Sequence, residues 1–123
     1  MDLIYGTPTL GDEQWQRNLR AVFRSGVPHL SSYCLTVEKD TPLEHLIRRG
    51  KAQGTQEETG ASQFGILMQE AGENGFTQYE LSNFCSEDRI SRHNTNYWTG
   101  GRYLGLGPSA HSYNGRSRYR NIA

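Results

Sequence analysis

The chain has 123 residues and carries 13 Lys and Arg residues against 13 Asp and Glu residues, so its formal net charge is zero. This length suits one domain with a modest core, and the neutral balance gives no attraction toward nucleic acid or an anionic membrane. No apolar run approaches the ~20 residues that a membrane-spanning helix needs, and the first residues, MDLIYG, lack the pattern of a signal peptide. We therefore expect a cytoplasmic protein without a nucleic-acid partner or a membrane span. The tail carries Arg116, Arg118 and Arg120 without an acid, and we interpret these arginines as solvated surface.

The two cysteines, Cys34 and Cys85, lie far apart in the sequence and have no near neighbour of metal-ligand type. A disulfide is possible, but two reduced and partly buried thiols agree better with a cytosolic protein. An iron–sulfur cluster takes three or four closely spaced thiolates. This chain does not contain them.

The first part of the chain alternates strand and helix patterns. Asp2–Tyr5 (DLIY) is a short apolar run that predicts a buried strand. Thr9 with Asp12 resembles a helix-starting box, and an apolar helical face follows before Gly26, a typical C-cap. That face consists of Trp15, Leu19, Val22 and Phe23. The β-branched and aromatic content of His29–Val37 predicts a second strand, parallel to the first because a helix connects them.

The pattern continues with two further helices and a third strand. Pro42 begins a short helix that ends at Gly50, and residues 51–60 are polar and exposed in this interpretation. The next helical face ends near Gly75 and consists of Phe64, Leu67, Met68 and Ala71. Thr77–Leu81 (TQYEL) then predicts a strand. The order βαβαβ is typical of an α/β fold with a parallel sheet.

A three-stranded parallel sheet leaves both edges open, and a barrel needs about eight strands, or six in partial form. We therefore expect this chain to be a piece of a longer protein. Its open strand edges predict that the isolated chain self-associates.

Ser91–Gly115 concentrates ligand-binding groups in a segment without a helical or strand period. Its histidine and tyrosine rings offer polar tips, and its glycines allow a close approach to a ligand. These rings belong to His93, Tyr97, Trp98, Tyr103, His111 and Tyr113. We interpret the segment as a site-forming loop. The alternative is a turn-rich surface loop whose aromatic residues only pack on the scaffold.

Four motifs, taken together and in order, resemble the oxygen-independent coproporphyrinogen III oxidase-like family of radical S-adenosylmethionine (SAM) proteins. They are DLIYG at 2–6, YELSNF at 79–84, SRHNTNYW at 91–98 and YLGLGPSAHS at 103–112. Within the family, the HNxxYW pattern that begins at His93 resembles the haem-chaperone branch. The resemblance implies the second half of a partial (β/α)6 TIM-like radical SAM barrel over residues 1–85. Residues 86–123 would be the site-forming loop and the start of the C-terminal region.

The resemblance also implies a role in porphyrin and haem metabolism. The whole protein would bind SAM and a [4Fe–4S] cluster, and would either decarboxylate the propionates of a porphyrinogen or carry haem to acceptor proteins; HNxxYW favours carriage. The family holds its cluster on a CxxxCxxC loop that this chain lacks, so we expect the chain alone to be inactive. An alternative from a different class is a small α/β module that holds a flat ligand in the aromatic, Gly-rich loop without radical chemistry.

Site residues follow from the resemblance position by position, and none of them is assigned a catalytic role. Asp2, Tyr33, Thr36 and His111 match positions at the SAM site. Their structural alternatives are a strand-end cap for Asp2 and ordinary core for Tyr33.

His93 would be the axial ligand of haem iron, since a neutral imidazole nitrogen is a good ligand there. Tyr97 and Trp98 would pack against the porphyrin face. The alternative role for His93 is capping of the backbone.

Overall fold

In the computed structural model, which describes residues 1–122, the chain divides into two compact units. Unit 1 is Met1–Arg89, and unit 2 begins at Ile90. The elements of unit 1 are β1 (Asp2–Tyr5), α1 (Asp12–Arg24), β2 (His29–Cys34), α2 (Pro42–Arg48), α3 (Glu57–Glu73), β3 (Phe76–Gln78) and β4 (Asn83–Ser86). Those of unit 2 are α4 (Arg92–Trp98), β5 (His111–Tyr113) and β6 (Arg118–Arg120). No helix in residues 1–122 has both the length and the apolar character needed to cross a membrane.

Strands β1 and β2 are parallel neighbours joined by α1, so the predicted α/β class and its first βαβ unit are confirmed. Asp2 pairs with Ser31 and Tyr5 pairs with Cys34, which brings the C-terminal ends of both strands together. Strand β2 ends at Cys34, earlier than the predicted Val37.

The predicted third strand differs from the structure. Instead of one parallel strand at Thr77–Leu81, the chain forms an antiparallel hairpin of β3 and β4, and β4 pairs antiparallel with β2. The sheet order is β1-β2-β4-β3. A turn interrupts the predicted strand, because Glu80 Oε1 accepts the main-chain N–H of Ser82 at 2.9 Å and Leu81 is 79% exposed. The buried central position is taken by Asn83–Ser86, which is too short and too polar to show a strand period.

The three predicted helices of unit 1 are present. Helix α1 begins after Gly11 rather than at Thr9, and no side chain caps it. Its glycine stop is confirmed, since Gly26 has a φ of +72°, a conformation that favours glycine. Helix α2 begins as the proline predicts, and the Oγ1 of Thr41 accepts the N–H of Glu44 at 3.3 Å.

The core of unit 1 lies between one face of the sheet and helices α1 and α3. Its largest fully buried side chains are Trp15, Phe84, Leu19, Leu30, Leu67 and Gln63. The ring centroids of Trp15 and Tyr5 are 5.6 Å apart. Since side chains alternate along a strand, the other face of β1 and β2 carries the paired residues Ile4 and Tyr33, which are 55% and 45% exposed. The helices thus cover one face of the parallel pair, and the other face is open.

Gln63 fixes the loop between β1 and α1, although its side chain is polar and fully buried. Its Oε1 accepts the N–H of Gly6 at 2.7 Å, and its Nε2 donates to the carbonyl of Leu10 at 2.7 Å. The main-chain oxygen of Gln63 also accepts the indole N–H of Trp15 at 2.8 Å. Because buried polar groups need partners, this one residue ties α3 to the loop at the C-terminal end of β1.

Unit 2 contains regular structure where the sequence shows no period. Helix α4 occupies 92–98, and Ser91 caps it by accepting the N–H of Asn94 at 3.3 Å. The strands β5 and β6 form an antiparallel hairpin. The prediction of an aperiodic segment at Ser91–Gly115 is therefore corrected. These elements are seven and three residues long, which is too short for a periodic signal.

Candidate functional site

Two cavities open at the C-terminal ends of β1 and β2. Cavity A measures about 320 Å³ and is bordered by the first turns of α3. Cavity B measures about 350 Å³ and is bordered by the turn before β4. Tyr5, Cys34 and Phe64 line both of them. Each volume lies at the lower end of the range of about 300–1,000 Å³ that is typical of small-ligand pockets.

Close packing at cavity A depends on two glycines beside the thiol of Cys34. A Cβ atom at Gly6 would lie 3.0 Å from that sulfur, and one at Gly60 would lie 3.2 Å from it. Gly6 also has a φ of +70°, which disfavours side chains. Burial, and then the negative charge of Cys34 when ionised, raise the pKa of Tyr5 above its ordinary value. The tyrosine hydroxyl at this wall is thus a neutral hydrogen-bonding group.

Cavity B is lined by both Tyr33 and Thr36, the two residues that the family resemblance matches to a SAM site. Ser82 adds a further hydroxyl to this wall, and Leu81 adds apolar surface. Hydroxyl groups on an apolar wall can orient a small ligand that carries both polar and apolar parts. Cavity B therefore has a donor set that fits a nucleoside-like ligand such as SAM.

Asp2 lies at the opposite end of the strands. It opens β1, and the three residues from Asp2 to Tyr5 span about 10 Å. Its carboxylate lies close enough to His29 to raise the pKa of that imidazole, as the carboxylate of Glu80 does. These two effects are outweighed by burial and by the positive N-terminus, so the pKa of His29 is lowered overall. The structure groups Asp2 with His29 and Glu80, and not with the residues of cavity B.

The cysteines do not form a cluster site. Cys34 is exposed, Cys85 is buried, and both are free thiols. Burial, and then the charge of Asp88, raise the pKa of Cys85, which keeps this thiol protonated. Residues 1–122 contain no group of three or more His, Cys, Asp or Glu side chains placed to hold a metal ion. An iron–sulfur cluster does not fit the residues of this chain.

In unit 2, helix α4 presents the HNxxYW pattern on its surface. His93 and Tyr97 lie one turn apart, with the Nε2 of the imidazole and the tyrosine hydroxyl 3.1 Å apart. Their rings are nearly perpendicular at a centroid separation of 5.0 Å. Trp98 follows and is 72% exposed. Large exposed aromatic side chains beside a histidine are typical of a binding surface rather than of a core.

A row of rings continues from this helix into the hairpin. The ring centroids of Tyr97 and Tyr103 are 4.8 Å apart. Those of Tyr103 and Tyr113 are 6.1 Å apart. These rings of unit 2 thus form one contiguous row, which begins at the imidazole of His93.

His111 opens β5 and is exposed. Its backbone lies so close to Gly105 that a Cβ at the glycine would collide with the carbonyl of His111. The N–H of Gly105 is bonded to the hydroxyl of Ser112 at 2.9 Å. Gly105 therefore allows two segments of unit 2 to pack closely, and Gly107, with a φ of +94°, shapes a turn.

Sequence reasoning missed the side chains that build the cavities. Tyr5 and Phe64 were expected only as core, and Cys34 only as a partly buried thiol, yet all three line both cavities. For Tyr5 and Cys34 the available signal was their position at the C-terminal end of a strand, where ligands gather in α/β folds. Phe64 lies within α3 and carries no such signal.

Comparison with known proteins gives a consistent family. A scan against family models finds no match. The chain is 38% identical over 122 residues to Heme chaperone HemW of Mycobacterium tuberculosis, a match that covers 99% of this chain and 31% of that protein. It is 34% identical over 111 residues to radical S-adenosyl methionine domain-containing protein 1, mitochondrial, of Danio rerio, covering 90% of this chain and 25% of that protein. The chain thus spans between a quarter and a third of the length of these relatives.

The structure is similar to that of coproporphyrinogen III oxidase (HemN) from Escherichia coli, described as a radical SAM enzyme. The TM-score is 0.73 at 18% identity, over 98% of this chain and 30% of that one. The fold is therefore that of part of a radical SAM TIM-like barrel.

The sequence matches are more specific than the fold. They relate nearly the whole chain to the haem-chaperone branch of the oxygen-independent coproporphyrinogen III oxidase-like radical SAM family, so the resemblance stated from its motifs is confirmed.

Proposed function

We propose that this chain is the haem-contacting part of a radical SAM haem chaperone that acts in cytoplasmic haem metabolism. The observation that carries the proposal is the exposed His93 on α4, held by Tyr97 and followed by the exposed Trp98. The M. tuberculosis relative, 38% identical, is named a haem chaperone. Haem would be the cargo, and acceptor proteins would receive it.

The chemistry of α4 suits haem. A neutral imidazole nitrogen is a strong ligand for haem iron, and an indole ring can lie flat against a porphyrin. His93 offers the first group, and the mostly exposed Trp98 offers the second. His93 and Tyr97, four positions apart on the same helix, share one face, so iron ligation and a ring contact can act on the same ligand.

We further propose that cavity B contributes to the SAM site of the whole protein, through Tyr33 and Thr36. Their shared cavity supports this assignment. The resemblance assigns Asp2 and His111 to the same cofactor, and these two assignments remain predictions. A [4Fe–4S] cluster would be held by residues outside this chain. The chain alone would then bind haem without radical chemistry.

The test is a titration of ferric haem into the chain and into His93→Ala, followed by the Soret band. We expect a shifted Soret band with the wild type and an affinity at least about tenfold lower in the variant, because the iron ligand is gone. His45→Ala is the matched control, since His45 lies on α2 in unit 1, and it should bind haem like the wild type. Equal binding by wild type and His93→Ala would overturn the proposal.

A further inference from the structure

The charges of this neutral chain are divided between its two units. All thirteen acidic residues precede Ile90, together with eight of the thirteen basic ones, so unit 1 has a net charge of −5. Unit 2 contains five arginines and no Asp or Glu, which gives +5. The arginines of unit 2 therefore have no acidic side chain of their own unit as a partner, and the zero total charge conceals a basic module.

The register of the hairpin places two of these arginines on one face. His111 pairs with Arg120, and Tyr113 pairs with Arg118. Directly paired residues of antiparallel strands lie on the same face, so these four side chains form one surface, here termed the arginine face. Both arginines are exposed. The guanidinium of Arg118 lies 5.9 Å from the ring centroid of Tyr113, a cation–π distance that holds it in place.

The arginine face continues the row of rings that begins at His93. Tyr113 belongs to both, because its ring contacts Tyr103 and also the guanidinium of Arg118. A flat aromatic ligand that carries acidic groups has matching chemistry, since its plane can contact rings and its carboxylates can pair with planar guanidinium groups. A tetrapyrrole with propionate side chains is such a ligand.

We propose that the arginine face binds the propionate carboxylates of the tetrapyrrole that contacts α4, with Arg118 and Arg120 as the charged partners. This inference rests on the proposed function and deepens it, because it separates recognition of the acid groups from ligation of the iron. The acid groups then contribute affinity even when iron is absent.

The test uses iron-free protoporphyrin IX and its dimethyl ester, which lacks the charged carboxylates, with porphyrin fluorescence as the readout in a mild detergent. We expect the wild type to bind the acid about tenfold more tightly than the ester. The double variant Arg118→Gln/Arg120→Gln should lose this preference and bind acid and ester equally. Arg24→Gln/Arg49→Gln removes two exposed charges from unit 1 and should keep the preference. Circular dichroism confirms that each variant folds.

The outcomes separate the two proposals. Equal binding of acid and ester by the wild type overturns the arginine face, and His93-dependent haem binding would still support the chaperone assignment. Preference for the acid without haem ligation by His93 supports the arginine face and overturns the assignment of the iron ligand. No binding of either iron-free porphyrin overturns the arginine face, and the titration with ferric haem then decides the chaperone assignment separately. Binding of a single-stranded oligonucleotide that the double variant loses, with porphyrin binding unchanged, would make the face a nucleic-acid surface and also overturn the inference.

Discussion

The hydroxyl of Tyr97 lies 3.1 Å from Nε2 of His93, so a hydrogen bond to the tyrosine engages one of the two nitrogens that could bind haem iron. In either tautomer this nitrogen has no lone pair free for a metal, because it either accepts the tyrosine proton or carries a proton of its own. Ligation through Nε2 therefore requires the tyrosine to release the imidazole.

We predict that Tyr97→Phe binds ferric haem more tightly than the wild type. The lost hydrogen bond has a net value of about 0.5–1.5 kcal/mol, which corresponds to an increase in affinity of roughly two- to tenfold. Titration by the Soret band measures it. Tyr119→Phe is the control, since the hydroxyl of Tyr119 is bonded to Asn114 and not to the histidine. A weaker affinity of Tyr97→Phe would show that the hydroxyl supports ligation instead of competing with it.

The two thiols should differ in reactivity. Cys34 is exposed at the cavities, whereas Cys85 is buried and its pKa is raised by that burial. Because the thiolate is the reactive form, we predict that a thiol reagent modifies only Cys34 in the folded chain at about neutral pH, as counted by mass spectrometry. In the folded Cys34→Ala variant, the remaining thiol of Cys85 should stay unmodified until the chain is unfolded. Equal rates for both cysteines would contradict the structure.

The same labelling tests the proposed SAM site. Cys34 lines cavity B together with Tyr33 and Thr36. A bound nucleoside should therefore shield the thiol, and we predict that SAM slows the labelling of Cys34. Free methionine, which lacks the adenosyl group of SAM, is the control ligand and should leave the labelling rate unchanged. Unchanged labelling at saturating SAM would remove cavity B from the SAM site.

Local patterns predicted those elements whose burial follows a regular period. The strand Asp2–Tyr5 and the buried face of α1 are evident from apolar spacing alone, because hydrophobic burial determines both. Strand β4 was missed because its position depends on pairing with β2, a contact between residues about fifty positions apart. A segment of four residues is too short for its own sequence to predict such long-range pairing.

In the candidate site, too, local motifs predicted some positions, whereas others depend on how the strands pair. Tyr33 and Thr36, which the motif resemblance matches to one cofactor, line the same cavity because both lie near the end of β2; their role in binding SAM stays a prediction. The resemblance could not show that Asp2 lies beside His29, because the pairing of Asp2 with Ser31 determines which end of the sheet it occupies.

Gln63 lies on α3, and no sequence pattern predicted that its buried side chain would bond to the loop between β1 and α1. We predict that Gln63→Leu destabilises the chain by about 2–4 kcal/mol, because the N–H of Gly6 and the carbonyl of Leu10 lose their partners. Urea unfolding followed by circular dichroism measures it. Gln69→Leu is the matched control on the exposed side of α3 and should stay within about 0.5 kcal/mol of the wild type. A cost for Gln63→Leu as small as that of the control would show that water replaces the amide.

His29 should make the stability of unit 1 depend on pH. Burial and the positive N-terminus lower its pKa below the ordinary value of 6.5. The unfolded chain then binds a proton more readily than the folded chain, so the stabilising contribution of neutral His29 is complete above about pH 6.5 and is lost as the pH falls toward the lowered pKa.

We predict that the urea midpoint falls between about pH 7 and pH 5.5, and that His29→Gln reduces this fall. Glu80→Gln should have the opposite effect. Glu80 raises the pKa of His29, so its neutralisation lowers that pKa further and increases the loss of stability, while the amide oxygen can still accept the N–H of Ser82. If His29→Gln and Glu80→Gln changed the pH dependence in the same direction, the charge environment described for His29 would be wrong.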